Sequence, residues 1–390
     1  MLNICEEENC TGCGLCENVC PKKAIHMSVN HKGFLHPIID AAACIDCLLC
    51  QAKCPANSNR TPNGTNPVVF AAWNKNKKIR KKSSSGGVFT LLAESVIEAG
   101  GIVAGVRWKE NYQAEHCLIE RKEDLHLLRG SKYVQSHTGN VYRDIKSILQ
   151  TGRSVLFSGT PCQVDALQIF LGKNYENLYT IDLVCHGVPS EAVFHRYLEE
   201  QSKGRIENIQ NIYLRYKSPY WNYSNVRIDF KEGNPYQRPA VMDGYYNLFN
   251  FNYTLRNCCY SCPYTTLNRQ GDITLADFWN YSLSEFKMRD FNFGLSCVLI
   301  NNDKGNQLFD QIKNQLVYNK ESIAAALKAN RNLEKSCEKP SDQDDFWQDY
   351  QEGYAVQALC DKYITHPYVY PSVLWLRNLK NRYRWLFKHE

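Results

Sequence analysis

Long hydrophobic runs are missing from the 390-residue sequence: no stretch approaches the ~18 uninterrupted apolar residues of a membrane-spanning helix. That excludes a helical integral membrane protein. The segment from Met1 to Glu8 is acidic and has no apolar h-region, so it does not read as a secretory signal, and the chain is expected to be cytoplasmic. Excess charge of one sign is missing too. Forty-six Lys and Arg face 40 Asp and Glu, and a net charge of +6 is too mild at this length to point to nucleic acid. No Gly-x-Gly-x-x-Gly follows an expected strand, which removes support for a Rossmann-type nicotinamide or flavin site. With 44% hydrophobic residues the composition is that of a globular protein rather than a disordered one. Cysteine, in contrast, is abundant. Eighteen cysteines in a reducing compartment argue for metal rather than disulfides.

Eight of these cysteines form an internal repeat. Cys10, Cys13, Cys16 and Cys20, followed by Pro21, recur as Cys44, Cys47, Cys50 and Cys54, followed by Pro55. This doubled Cys-x2-Cys-x2-Cys-x3-Cys-Pro run is the spacing of a bacterial two-cluster ferredoxin. Three thiolates spaced by two residues on a curling loop reach three corners of one iron-sulfur cube, while the fourth, set after a short turn, points at the other. On that pattern Cys10, Cys13, Cys16 and Cys54 hold one 4Fe-4S cluster, and Cys44, Cys47, Cys50 and Cys20 hold a second. Structural zinc uses two separated pairs of ligands and needs neither the third cysteine nor the reciprocal Cys-Pro. The chemistry that follows is one-electron transfer, with a ferredoxin or another low-potential donor as partner.

The expected architecture is α+β and α/β in three parts. Residues 1–60 form the two-cluster ferredoxin domain, and the polar stretch from Asn57 to Pro67 has the composition of a linker. Residues 67–330 alternate strand-length apolar runs with helical periodicity, as in a mixed-sheet α/β core. Expected strands are Val68–Trp73, Ile102–Trp108, Ser154–Phe157, Tyr179–Cys185, Ile212–Tyr216, Val226–Phe230, Asp272–Ala276 and Leu295–Ile300. Expected helices include one from Val88 that ends at Gly100-Gly101, and others at Val141–Leu149, Gln163–Leu171 and Ala192–Glu200. Residues 331–390 read as a helical tail.

Within the core, Cys162 directly follows a strand and Cys185 ends another, at the carboxyl ends where α/β folds place their chemistry. With Cys259 and Cys262 from Cys258-Cys-Tyr-Ser-Cys262 they make four thiols able to hold a third cluster, Cys258 competing with Cys259 for the ligand position. The alternative is that free cysteines are small buried hydrophobes, which is the reading for Cys117, Cys297, Cys337 and Cys360. Ser83-Ser-Ser-Gly-Gly87 before a helix, with the basic run Lys75 to Lys82, has the make-up of an anion cradle.

At these positions the chain resembles the family of coenzyme F420 hydrogenase/dehydrogenase beta subunits. The resemblance is carried by Ser83 to Phe89, Gly130-Ser-Lys-Tyr-Val-Gln-Ser136, Val155 to Gln163, Asp182 to Gly187, and Cys259 to Cys262 with Gly271 to Trp279. It implies a flavoprotein core that binds FAD, with a 4Fe-4S cluster close to the flavin ring. Carried over by motif, Ser85, Gly86, Gly87, Lys132, Tyr133, Ser136, Thr160 and Gln163 become flavin-site candidates, and Cys162, Cys185, Cys259 and Cys262 the core cluster ligands. Members of the family act on different partners, including coenzyme F420. Versions with a ferredoxin head also resemble proteins encoded in bacterial surface-polysaccharide clusters.

The resulting expectation is an iron-sulfur flavoprotein oxidoreductase that passes electrons through FAD to a small organic substrate, a deazaflavin or a polysaccharide-pathway intermediate. His186 and Lys132 are its candidate catalytic residues, with a structural histidine as the default for His186 and a buried anchoring acid for Asp277. The alternative expectation is an electron-transfer beta subunit with no substrate of its own inside a larger hydrogenase or dehydrogenase complex. The basic aromatic segment from Pro371 to Glu390 can lie on an anionic membrane surface or pack on protein.

Overall fold

The structure, a computed structural model, describes residues 3–57, 66–281 and 292–364. The segment from Pro371 to Glu390, with its capacity for membrane contact, lies outside the described residues. Among the described residues fourteen strands form three sheets. The head contributes the hairpin of β1 (Ile25–Val29) and β2 (Leu35–Ile39), and two short helices, α1 (Leu15–Val19) and α2 (Leu49–Ala52), carry its cysteine runs.

The core is a nine-stranded mixed sheet of order β14-β3-β13-β12-β8-β7-β4-β5-β6. Its strands are β3 (Val68–Asn74), β4 (Ile102–Trp108), β5 (Ala114–Ile119), β6 (Ser136–His137), β7 (Val155–Gly159), β8 (Leu178–Leu183), β12 (Ile273–Asp277), β13 (Ser296–Ile300) and β14 (Leu316–Glu321). The central strands read as unbroken apolar runs because helices cover both faces. On one face α4 (Val88–Glu98) inserts Val88, Leu91, Leu92 and Val96 against Phe70, Val103, Leu156 and Ile181. On the other, α6 (Val141–Gln150) and α7 (Pro161–Leu171) bury Tyr142, Ile145, Val164 and Leu167 against Ala104 and Phe157. A separate antiparallel sheet, β9 (Ile209–Tyr220), β10 (Tyr223–Phe230) and β11 (Tyr236–Pro239), packs with α8 (Glu191–Ser202) and α9 (Gly244–Asn250).

The C-terminal region differs from the expectation of a tail. Its helices Gln343–Gln351 and Val356–Tyr363 place Phe346, Trp347, Val356 and Leu359 in the same apolar cluster as β9, β10 and α8. An aromatic-rich amphipathic segment has this packed outcome available wherever a neighbouring sheet leaves one face open. In the core the expected strands missed β5, β6, β11 and β14, short or outer strands whose partly exposed pattern hides their apolar content.

β4, β7, β8 and β12 are mutually parallel, and β3 runs the same way through its antiparallel partner β13. Their carboxyl ends therefore share one edge. That edge receives Ser83–Gly87, Thr160 to Gln163, Cys185-His186 and Asp277 to Trp279, with Ser136 opposite the end of β4 through β5.

The head docks on the core at this edge through buried polar contacts. Arg256, 2% exposed, donates from Nε to Cys10 O (2.5 Å), from Nη1 to Gln135 Oε1 (2.8 Å) and from Nη2 to Leu35 O (2.5 Å). Arg143 donates to the carbonyls of Glu17, Asn18 and Cys20 at the end of α1. Gly14, with φ +72°, precedes α1, and a Cβ there would lie 2.0 Å from Thr138 Oγ1. Gly14→Ala is therefore expected to lose about 2 kcal/mol or more in denaturant unfolding. Gly172→Ala is the control. It has φ +70° with nothing within 4 Å of the added carbon, so it carries the backbone cost without the clash.

A second contact joins the head's hairpin turn to α8, where Glu191 N donates to Gly33 O and Ser190 Oγ to Lys32 O. The Glu191 carboxylate accepts from His137 Nε2 (2.8 Å) and Gln113 Nε2 (3.1 Å), with His195 Nε2 at 3.6 Å. Burial pushes its pKa up, but the hydrogen bond from His137 and the nearby His195 outweigh that and hold it at about 2, against an ordinary 4.5. A depressed folded-state pKa gives stability that is complete above about 4.5 and is lost as pH falls toward 2. Glu191→Gln is expected to flatten stability over that window, read by urea unfolding from pH 6 to pH 2.5. An unchanged pH slope would rule the carboxylate out as its source.

Candidate functional site

Two cavities lie in the head. One is lined by Cys10, Cys13, Cys16 and Cys54 together with Cys5, and otherwise mainly by apolar groups such as Ile4, Leu15 and Met27. The other is lined by Cys20, Cys44, Cys47 and Cys50 among Ile25, Ile39 and Leu49. Each thus takes three cysteines from one run and the fourth from the other. Soft thiolates in an apolar shell fit a 4Fe-4S cube. Among the described residues no three His, Cys, Asp or Glu side chains close on one ion, as structural zinc requires. The spacing argument does not reach Cys5. It lines the same cavity as Cys10 and Cys54, and the proximity of the three thiols raises the pKa of Cys5 and lowers those of Cys10 and Cys54.

The two cavities differ in position. Cys13 is buried, and its carbonyl accepts from Tyr142 Oη (2.9 Å) and Thr138 Oγ1 (3.4 Å) of the core. Cys47 is exposed, and beside it Ile45, Leu48 and Leu49 are 56%, 47% and 42% exposed. One cavity therefore faces the core, and the other opens at an apolar patch of surface.

The core cysteines gather at the sheet edge. Cys162 lies inside the first turn of α7 rather than directly after the strand, because Thr160 and Gln163 form a capping box and Pro161 starts the helix. Cys185 lies two residues beyond β8 rather than at its end, since the ladder with β12 closes on the bond from Val184 N to Leu275 O. Burial raises the thiols of Cys162 and Cys185. The Cys185 and Cys262 thiolates raise Cys162 further, and Cys259 and Cys262 raise Cys185, so the four lie within electrostatic reach of one another. Cys13 of the head adds to the effect at Cys162. Cys259 Sγ accepts from Val188 N (3.4 Å), and the neighbouring Cys258 thiol lowers the pKa of Cys259.

One expectation changes here. Cys337 is not a bland buried hydrophobe: it is half-buried, and its Sγ donates to His186 O (2.8 Å) and approaches His186 Nδ1 (3.5 Å), because the segment after residue 331 folds back over this edge. His186 packs edge-on against Phe249 (5.0 Å), and burial lowers its pKa.

The flavin-site candidates divide. Ser85 Oγ donates to Leu295 O (2.8 Å), and a Cβ on Gly86 would lie 2.4 Å from Ala72 O, so this part of the loop is pressed onto the sheet. Gly87, with φ +80°, caps α4. The basic flank is the short helix α3 (Lys77–Lys82), whose Arg80 is buried and donates to Gly294 O. Gln163 Nε2 donates to Ser136 Oγ (3.0 Å) and its Oε1 serves the Thr160 cap, which commits Ser136, Thr160 and Gln163 to local structure. Lys132 lies near the Trp108 ring (5.9 Å), and burial lowers its pKa to about 8. Tyr133 stacks on Phe249 (4.8 Å), which links it to His186.

Sequence reasoning overlooks the charged centre of this pocket. Arg215 of β9, with a side chain 3% exposed, pairs with Asp277 (2.9 Å), and its Nη1 also reaches Tyr133 Oη (3.3 Å). Trp221 Nε1 donates to Asp277 Oδ1, and the Trp221 and Trp279 rings stack at 4.7 Å and 3°. Lys217 Nζ donates to the carbonyls of Arg80, Ser85 and Phe293. The available signal is the Arg-Tyr-Lys alternation in an otherwise apolar strand, two cations on one face.

Family models match this chain in three places. For the coenzyme F420 hydrogenase/dehydrogenase beta subunit, the N-terminal model matches residues 69–143 and the C-terminal model matches residues 152–326. The chain belongs to this family. A 4Fe-4S dicluster domain model matches residues 9–58, so this family member carries an iron-sulfur head. A subunit of the F(420)H(2) dehydrogenase of Methanosarcina mazei is 23% identical over 337 residues, 81% of this chain and 86% of that protein. An uncharacterized ferredoxin of Methanocaldococcus jannaschii is 34% identical over 55 residues, 14% of this chain and 70% of that protein. A chain of the F420-reducing [NiFe] hydrogenase complex from Methanosarcina barkeri superposes with a TM-score of 0.47 at 18% identity, covering 79% of this chain and all of that one. Among the described residues no helix is long and apolar enough to cross a membrane.

Proposed function

We propose that this family member is the electron-relay subunit of a larger redox complex, carrying electrons between the exposed rim of its head and the carboxyl edge of its core sheet. The observation that carries this reading is the place of Cys13, held by Tyr142 and Thr138 and close enough to act on Cys162. Cys10, Cys13, Cys16 and Cys54 would hold the inward cluster, Cys20, Cys44, Cys47 and Cys50 the outward one, and Cys162, Cys185, Cys259 and Cys262 a third in the core. A 4Fe-4S cluster supplies one-electron transfer at low potential. Around these positions the chain excludes water with Leu15, Ile25 and Ile4, fixes the head with Arg256, and leaves Ile45, Leu48 and Leu49 free for an electron-transfer partner.

The reading is tested by turnover of the purified chain. A relay subunit takes electrons from reduced viologen until its clusters are filled, bleaching the dye only to that extent, and converts no small molecule until its partner is added. Conversion of coenzyme F420 by the isolated chain would instead favour the second reading, a flavin at the sheet edge serving a substrate of its own. That second reading is supported by the charged and aromatic cluster around Arg215 and Tyr133, with Lys132 beside Trp108 as its candidate proton-bearing group.

A further inference from the structure

Five thiols line the inward cavity of the head, and a 4Fe-4S cube takes four. The surplus one is Cys5, which lies outside the repeated runs. Its segment is fixed in place. Ile4 beside it is 4% exposed and packs with Ile25, Cys50 and Cys54. Gln51 Nε2 donates to Asn3 O, and Asn57 Nδ2 donates to Ile4 O (2.8 Å), so the backbone before Cys5 is tied to the second cysteine run on both sides of Cys54. After Cys5, the 3-10 turn Glu7–Asn9 leads directly into Cys10. Cys5 thus stands beside Cys10 and Cys54, and the shifts that these three thiols impose on one another agree with that place. Of the two neighbours, Cys54 is the one whose flanking residues hold the Cys5 segment, so its corner is the one that Cys5 reaches with the smaller backbone movement.

We propose that Cys5 is a second thiol for the corner of the inward cluster that Cys54 holds, and takes over as ligand when Cys54 is lost or displaced. This rests on the relay reading above. The exchange needs no oxidant or reductant: the iron–sulfur bond to Cys54 breaks, the bond to Cys5 forms, and the proton of the Cys5 thiol passes to the Cys54 thiolate. Cys54 is the one ligand that the inward cluster draws from the second run, whose other cysteines, Cys44, Cys47 and Cys50, line the cavity that opens at the surface. With Cys5 at the same corner, the cluster nearest the core does not depend on that single bond to the second run.

The test compares the full chain, purified anaerobically, as wild type, Cys5→Ala, Cys54→Ala and Cys5→Ala combined with Cys54→Ala. Iron and sulfide content, EPR after dithionite reduction and the rate at which iodoacetamide labels Cys5 are measured, with thermal unfolding as the check on folding. Each single variant is expected to keep the iron content of wild type, and the paired variant to lose about four irons while the outward cluster's signal remains. In wild type Cys5 labels as a free thiol. In Cys54→Ala it is expected to label at least about 10-fold more slowly, because a thiolate bound to iron is not free to attack the reagent. Cys54→Ser keeps the shape of the side chain and serves where the alanine variant does not fold, and slowed labelling of Cys5 there separates takeover by Cys5 from ligation by the serine oxygen. Loss of about four irons in Cys54→Ala, or of about one iron with a 3Fe-4S signal, would overturn the proposal. So would a paired variant with as much iron as the single ones, or Cys5 labelling at the wild-type rate in Cys54→Ala and Cys54→Ser. Wild type without head iron would overturn the relay reading and the proposal together, whereas failure confined to the variants leaves the relay reading in place.

Discussion

Cys13→Ala is expected to remove about four irons from the purified chain and to isolate the outer head cluster from the core. Cys13 lines the inward cavity, its carbonyl takes two hydroxyls of the core, and its charge is felt at Cys162, Tyr142 and Tyr264. No other head cysteine combines these contacts. The remaining ligands of that cavity cannot complete a four-thiolate cage unless Cys5 moves in. Iron analysis with freeze-quench EPR checks the outcome: the outer cluster should still be reduced by dithionite, while reduction of the core signal is slowed. Cys117→Ala, a half-buried cysteine of β5 outside the three cysteine groups, should leave the iron content as it was. An unchanged iron content in Cys13→Ala combined with Cys5→Ala would remove the inward cluster from the account.

Asp182→Ala is expected to cost about 3–5 kcal/mol, the loss typical of removing one partner of a buried ion pair. Asp182 is fully buried and accepts from Arg269 Nε and Nη2 (3.4 and 3.2 Å) and from the backbone of Gln270 and Gly271 (3.0 Å each). Arg269 spends its other donors on the carbonyls of Tyr264, Thr266 and Leu183. The pair therefore staples the segment after Cys262 to the strand end before Cys185. Without Asp182 the Arg269 charge stays buried and unbalanced, and the two halves of the core cysteine group lose their common anchor. The variant should melt on the order of 10 °C lower and should lose core iron before head iron. Asp182→Asn, which keeps an acceptor and the volume, should lose less. A melting point within 1 °C of wild type would mean that the sheet edge is held by something else.

The features legible in the sequence are those set by local spacing. The head cysteines can be paired across the two runs because ligand geometry repeats every two or three residues. The helices α6 and α7 announce themselves through apolar period and, for α7, through Thr160, Pro161 and Gln163. Strand ends at Cys162 and Cys185 are placed to within two or three residues. What stays hidden depends on contacts between distant segments. Arg215, Arg256 and Arg269 look like surface charges in sequence, yet their partners Asp277, Cys10 and Asp182 lie 62, 246 and 87 residues away. Cys337 cannot be linked to His186 from sequence because 151 residues separate them. The glycine and hydroxyl loops read as a cradle, and the structure spends much of Ser85, Gly86, Thr160 and Gln163 on sheet packing and helix capping instead.

The most direct test of the central claim, that three cysteine groups form a continuous redox line from the head to the sheet edge, is iron and acid-labile sulfide content of the anaerobically purified chain, with EPR after dithionite reduction, in wild type and Cys185→Ala. The account predicts about twelve irons in wild type and about eight in the variant, with the head signals retained. About eight irons in both proteins, or zinc in place of iron, would contradict it.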